Sequence, residues 1–183
     1  NGDVYFIKVK NIGRDVYPFH KIFCDHIYGN YDVVGHIHTK KSKDVQEGIG
    51  DRWRRYLLAN LMGSREASAE ILGLFSDPKI GLVFSEDSHI VDEGANGNFI
   101  EEILDSVGQS RTQDYINFPL GTMFWARTEA LKDLNKLDKE IFALPEPIPY
   151  DGSVLHAFER VIPQLVSIAG YEVKRVYTTN TNW

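Results

Sequence analysis

Short runs of β-branched and aromatic residues alternate along this chain with stretches whose apolar residues recur at helical spacing. Residues 4–9 read as a strand, and Val16, Phe19, Phe23 and Ile27 as the buried stripe of a helix. A second strand, carrying Val33, Val34 and Ile37, runs to His38. Trp53, Leu57 and Leu61 mark a helix stopped by Gly63, and Ala67, Ile71 and Leu74 another that ends before Asp77-Pro78. Residues 80–84 form a buried strand, 86–98 a polar loop, 99–107 a helix, 120–126 a strand and 128–137 a helix. Three prolines make 143–152 irregular. The stripe from Val154 to Val166 is a long helix that Pro163 should kink or break, and 173–178 closes as a strand. Strands alternating with helices predict a three-layer α/β domain, its mostly parallel sheet flanked by helices.

At 183 residues the chain makes one domain spanning 1–183, with a core that needs no staples. A formal charge of −6 argues against nucleic acid as the main partner. The single cysteine, Cys24, rules out an internal disulfide framework, fits a reducing compartment and reads as a buried structural thiol among Phe19, Ile22, Phe23 and Ile27. No apolar run approaches the ~20 residues of a membrane span and no signal peptide is evident, so the expected location is cytoplasmic. The chain opens at Asn1 and turns apolar almost at once, as a fragment of a longer protein would.

Chemistry concentrates at strand ends. His36-Ile-His38-Thr-Lys40-Lys41-Ser42 delivers two imidazoles, two ammonium groups and two hydroxyls where α/β sheets bind ligands, which suits a phosphate or diphosphate. A solvated loop is the plain alternative. Asn11-Ile-Gly-Arg14-Asp15 joins a strand to a helix start, where Arg14 can clamp an anion and Asp15 can cap. In the aromatic run 118–127, Phe124 and Trp125 fall on opposite faces of a strand, one of them open to a sugar or base unless both are core. Gly121 there lets a ligand approach the backbone. Glu146 and Asp151 sit in a proline-stiffened loop, each able to deprotonate a sugar hydroxyl, with helix capping as the structural role of Asp151. His156, Glu159 and Arg160 share one helix face, as a surface salt-bridge cluster or as part of a site.

Five motifs in order resemble the rhamnan synthesis protein F family, glycosyltransferase-like proteins of bacterial rhamnose-polysaccharide assembly. They are Asn11-x-Gly-Arg-Asp15; Tyr31-Asp32 leading to His36-x-His-Thr-Lys-Lys-Ser42; Trp53-Arg54; Phe118-Pro-x-Gly-Thr-Met-Phe-Trp-Ala-Arg127; and Asp151-Gly-Ser-x-x-His-Ala-x-Glu-Arg160. The resemblance implies a GT-A-like nucleotide-sugar transferase fold whose first strand and glycine-rich turn are missing, and a nucleoside-diphosphate sugar donor, with dTDP-rhamnose suspected. The acceptor it implies is a glycan or lipid-linked glycan, which would bring the protein to the inner membrane face. Transferases of that fold carry a metal-binding Asp-x-Asp after the strand that here ends in His38. Its absence argues against a divalent metal, and Lys40 and Lys41 can neutralise the leaving diphosphate instead.

The expected transferase uses Asp151, or Glu146, as base beside His156, in an inverting reaction. Asn11, Arg14, Asp15, His36, His38, Lys40, Lys41, Trp53, Gly121, Trp125, Glu159 and Arg160 form its binding set. Two other classes fit the same residues: a metal-dependent hydrolase using His36 and His38 with Asp87 or Asp151, and a non-catalytic polysaccharide-binding module.

Overall fold

In the computed structural model, which describes residues 3–39, 48–90, 92–111 and 117–183, four strands form one sheet in the order β1-β3-β2-β4. They are β1 (Val33–His36), β2 (Ile80–Ser85), β3 (Phe124–Arg127) and β4 (Glu172–Val176). β1 and β2 each pair antiparallel with β3, and β2 pairs parallel with β4. Thus β1, β2 and β4 run one way and β3 the other. The sheet is mixed, which corrects the expectation of a mostly parallel one: hydrophobic periodicity reports burial and says nothing of strand direction.

Helices cover both faces. They are α1 (Val16–Ile22), continued by a π-helical turn over Phe23–Ile27, α2 (Ile49–Met62), α3 (Arg65–Leu74), α4 (Gly97–Ser106) and α5 (Val154–Ile168). A 3-10 helix spans Thr128–Lys136, within the helix expected over 128–137. The Ser64 hydroxyl caps α3 by accepting the Ala67 N–H at 3.1 Å.

Side-chain alternation along the strands builds two cores. Leu82, Phe84 and Phe124 join Phe19, Phe23 and Phe158 on the face covered by α1, α4 and α5. Val83 and Met123 join Tyr56, Leu57, Leu61 and Ile71 under α2 and α3, with Trp125 packed against them. With both faces covered, all six residues of β2 are buried. α5 continues through Pro163 to Ile168 instead of breaking. Val161, Ile162, Leu165 and Val166 are fully buried there, and at about 1.5–3 kcal/mol per large apolar side chain their packing outweighs the ~3 kcal/mol cost of a helical proline.

Two expected strands come out differently. Residues 4–9 form no strand and pair with none among the described residues, leaving Val4, Tyr5 and Phe6 exposed. An unpaired segment gains no ladder bonds and stays irregular. The strand expected over 120–126 begins only at Phe124, because a tight turn precedes it: the Thr122 N–H bonds the Pro119 carbonyl at 2.7 Å, with φ of 82° at Gly121 and 59° at Thr122. Among the described residues no helix is long and apolar enough to cross a membrane.

Candidate functional site

The strand directions bring the carboxyl ends of β1, β2 and β4 and the amino end of β3 to one edge, where His36 faces Phe124 across one pair and Ser85 faces Val176 across another. Four segments emerge there: 37–39, 86–90, 177–183 and the turn 118–123 that leads into β3. Lys40 and Lys41 continue the first and lie outside the described residues.

The turn at 11–15 closes over the β1 end. Gly13 and Arg14 are both left-handed, with φ of 62° and 53°. The Gly13 N–H bonds the Leu144 carbonyl at 2.9 Å, and a Cβ on Gly13 would stand 2.0 Å from the Phe142 carbonyl oxygen. Only glycine fits so close to neighbouring backbone. The turn leaves a crevice of about 390 Å³ whose lining includes Asn11, Arg14, Asp15, His38, Thr39 and Glu146. Asp15 stands at the head of α1, but its side chain makes no cap bond. Its Oδ2 lies 3.6 Å from His38 Nε2 instead. Arg14 reaches Glu146 Oε1 and the Ile148 carbonyl, each at 3.5 Å.

Behind the crevice, Glu159 organises the turn 118–122. Its Oε2 accepts the Gly121 N–H at 2.9 Å and the Thr122 hydroxyl at 3.3 Å. Its Oε1 accepts from Arg160 Nη1 at 2.8 Å. Arg160 also donates to the His156 carbonyl and lies over the Phe118 ring, 4.4 Å from its centroid. His38 Nε2 meets the Gly121 carbonyl at 2.8 Å, so that residue's N–H and C=O are both held by side chains. Thr122 is a β-branched residue in left-handed backbone, a strained conformation that persists only where surroundings impose it. Burial pushes the Glu159 carboxyl up to about 7 against the opposing pull of Arg160, so it titrates near neutrality. His36, enclosed by Phe19 and Phe124 with ring centroids at 4.4 and 5.5 Å, is pushed down to about 4 by burial.

Glu146 and Asp151 have different settings. Glu146 is exposed at the crevice rim, and its Oε2 accepts the Ile148 N–H at 2.9 Å. Asp151 does not cap α5, whose N-cap is Ser153. It bridges to the start of α4, accepting the Ala95 N–H at 2.9 Å and the Asn96 side-chain amide at 2.6 Å. Burial alone would raise its pKa, but the N–H groups of Ala95 and Gly152, the Asn96 amide and Arg160 together hold it below the usual value. His156 Nδ1 sits 2.8 Å from the Ser153 hydroxyl.

The remaining expected residues lie farther from the crevice. The Trp125 indole N–H bonds the Leu61 carbonyl at 3.0 Å beneath α2. Trp53 packs close to Gly121, where a Cβ would come within 2.9 Å of its ring, and on its other side its ring centroid is 5.4 Å from that of Trp183. Asp87 binds His89 and Trp183 rather than His36, and among the described residues no three His, Cys, Asp or Glu side chains gather as metal ligands. Cys24 is a half-buried thiol pushed up to about 11 by burial, as an inert structural cysteine should be. Sequence reasoning missed the roles of Phe118 and Thr122, and missed Asp87, His89 and Trp183 as a group. The one available signal was Glu86-Asp87-Ser88-His89, polar groups released at a strand end as His36 and His38 are.

Among known proteins, the profile described as rhamnan synthesis protein F matches residues 1–171. Two proteins of Xanthomonas campestris pv. campestris, from strains B100 and ATCC 33913, both bearing the name "Uncharacterized protein WxcX", are 32% identical to the chain over 176 residues. The alignments take in 93% of this chain and 25% of each relative, so the chain spans about a quarter of their length. No solved structure matches.

Proposed function

Because the chain belongs to the rhamnan synthesis protein F family, we propose that it is a glycosyltransferase domain of bacterial cell-surface polysaccharide synthesis, taking a sugar, rhamnose in the first instance, from a nucleoside diphosphate. The observation that carries this reading is the crevice at the sheet edge, where Arg14, His38 and the carboxylates of Asp15 and Glu146 converge on one opening. A GT-A-like frame lacking its first strands belongs to the same proposal, as does a lipid-linked acceptor met at the cytoplasmic membrane face.

In the proposed step the acceptor hydroxyl gives its proton to a carboxylate as its oxygen bonds to the anomeric carbon. The bond from that carbon to the diphosphate oxygen breaks, and the electron pair leaves with the diphosphate. One displacement inverts the anomeric centre. Arg14, with Lys40 and Lys41, receives the leaving charge, and no metal-borne step is required. Glu146 at the rim is the carboxylate best placed to meet an acceptor. Asp151 is the other candidate base, and the loop it ties to Asn96 carries them both. Glu159 holds the Gly121 peptide in place. A hydrolase built on His36 draws no support from a ring enclosed by Phe19 and Phe124.

The test is rhamnosyl transfer from dTDP-rhamnose, with dTDP binding followed by calorimetry. Glu146→Gln or Asp151→Asn should cost a factor of about 10²–10⁴ in turnover with binding kept, the usual size of a general-base contribution. The Lys40→Ala, Lys41→Ala double variant should lose dTDP affinity. Full turnover in both carboxylate variants would remove the general-base role, and silence of the wild type toward dTDP would favour a saccharide-binding module.

A further inference from the structure

We propose that a second cavity, at the carboxyl ends of β2 and β4, binds one pyranose ring of a glycan acceptor and so feeds the crevice. The proposal rests on the reading of this domain as one that handles glycans, but it concerns a separate place. Among the described residues the cavity of about 330 Å³ shares no lining residue with the crevice, and its volume lies within the range of small-ligand sites.

Its wall is aromatic and held rigid. The His89 and Trp183 rings lie 4.1 Å apart at 41°, and Trp183 packs on Trp53 at 5.4 Å. Asp87, 4% exposed, fixes both outer rings: Oδ1 accepts the His89 N–H at 2.9 Å and lies 3.0 Å from His89 Nδ1, while Oδ2 accepts the Trp183 indole N–H at 3.0 Å. A buried carboxylate is expensive unless it is hydrogen-bonded, and these contacts offset that cost. Here they preorganise aromatic faces that would otherwise have to be ordered during binding.

The chemistry of the cavity selects its ligand. Ser88, Thr181, Tyr177 and Asn182 surround the wall with hydroxyls and an amide, and among the described residues the lining holds no Lys or Arg. A pyranose matches both features: its C–H face, slightly positive, meets the negative face of an aromatic ring, and its hydroxyls pair with neutral donors and acceptors. A nucleotide would bring its phosphates toward the Asp87 carboxylate, with no cation among the described lining residues to hold them. Trp53 links the two places, packing against the Gly121 turn on one side and Trp183 on the other. A glycan laid along the sheet edge would therefore pass from the aromatic cavity over Trp53 into the crevice.

The experiment titrates a rhamnose trisaccharide and, separately, dTDP into the wild type, His89→Ala and Trp183→Ala, with circular dichroism as the fold control. The half-exposed His89 is the substitution that leaves the core untouched. We expect each variant to bind the trisaccharide at least tenfold more weakly, about 1.4 kcal/mol, with dTDP affinity unchanged. Unchanged trisaccharide affinity in His89→Ala and Trp183→Ala overturns the proposal, as does a loss of dTDP affinity in them, which would make the cavity a nucleotide site. A wild type that binds dTDP but no trisaccharide also overturns it and leaves the transferase reading standing. A wild type that binds the trisaccharide through His89 but ignores dTDP supports the cavity and sinks the transferase.

Discussion

Two openings lie on one sheet edge and are built by opposite means. The crevice over β1 is shaped by backbone: left-handed Gly13 and Arg14, a strained Thr122, and a Gly121 peptide held on both sides. The aromatic cavity beyond β2 and β4 is shaped by side chains, with Asp87 aligning His89 and Trp183. A site made of backbone depends on the residues that permit its torsions, whereas one made of side chains depends on the hydrogen bonds that hold its rings.

Gly13→Ala therefore has the largest expected effect. The new methyl meets the Phe142 carbonyl at 2.0 Å in left-handed backbone, so a stability loss of about 3 kcal/mol or more is expected, near 10 °C in Tm. Gly29→Ala, at φ 79° with nothing within 4 Å, isolates the torsional part and should cost about 1 kcal/mol. Equal losses at both positions in thermal melts would break the contrast, because crowding at the crevice would then count for nothing.

Next comes Glu159. Its folded pKa, raised to about 7, exceeds the unfolded 4.5. Its contribution to stability is thus complete below pH 4.5 and is lost as pH rises through 7, by about 3 kcal/mol at most. His36 works the other way: with its pKa lowered from 6.5 to about 4, its contribution is present above pH 6.5 and is lost as pH falls through 4. Denaturant titrations from pH 5 to 8 should show Glu159→Gln lacking the alkaline decline of the wild type, and Trp183→Phe keeping it. A decline that survives in Glu159→Gln would assign it elsewhere.

Asp87→Asn keeps the shape of the aromatic cavity but gives up charge-assisted bonds to His89 and Trp183. A cost of about 1–2 kcal/mol is expected, with changed tryptophan emission as the direct sign that the rings have loosened. Unaltered emission would mean that packing alone sets them. The smallest effect belongs to Lys21→Ala, which breaks an exposed pair with Asp25: a barely measurable loss of stability that vanishes in high salt.

The sequence displayed the crevice more openly than the cavity, for physical reasons. Gly13, Arg14 and His38 stand in short polar motifs beside apolar runs, and such boundaries are visible in one dimension. Asp87, His89 and Trp183 come together only because β2 and β4 are parallel neighbours, a pairing no local pattern encodes. The helices α2, α3, α4 and α5 follow their apolar spacing closely. The 118–123 turn did not show itself, because an apolar run spells strand until the torsions at Gly121 and Thr122 are known. Asp151 illustrates a third kind of difficulty. Its place ahead of a helix suggested a cap, yet its partners, Ala95 and Asn96, are distant in sequence.

The reversed strand β3 also governs how quickly this domain can find its fold. It lies between β1 and β2, and Val34 must meet Ala126 just as Leu82 must meet Val173, partners separated by roughly half the chain. Little of the sheet can zip from local contacts, so closing those long loops has to precede most of the reward. Substitutions in β3, such as Ala126→Gly, should slow refolding more than they speed unfolding, whereas the same change on the solvent side of α3 should act mainly on the unfolding rate.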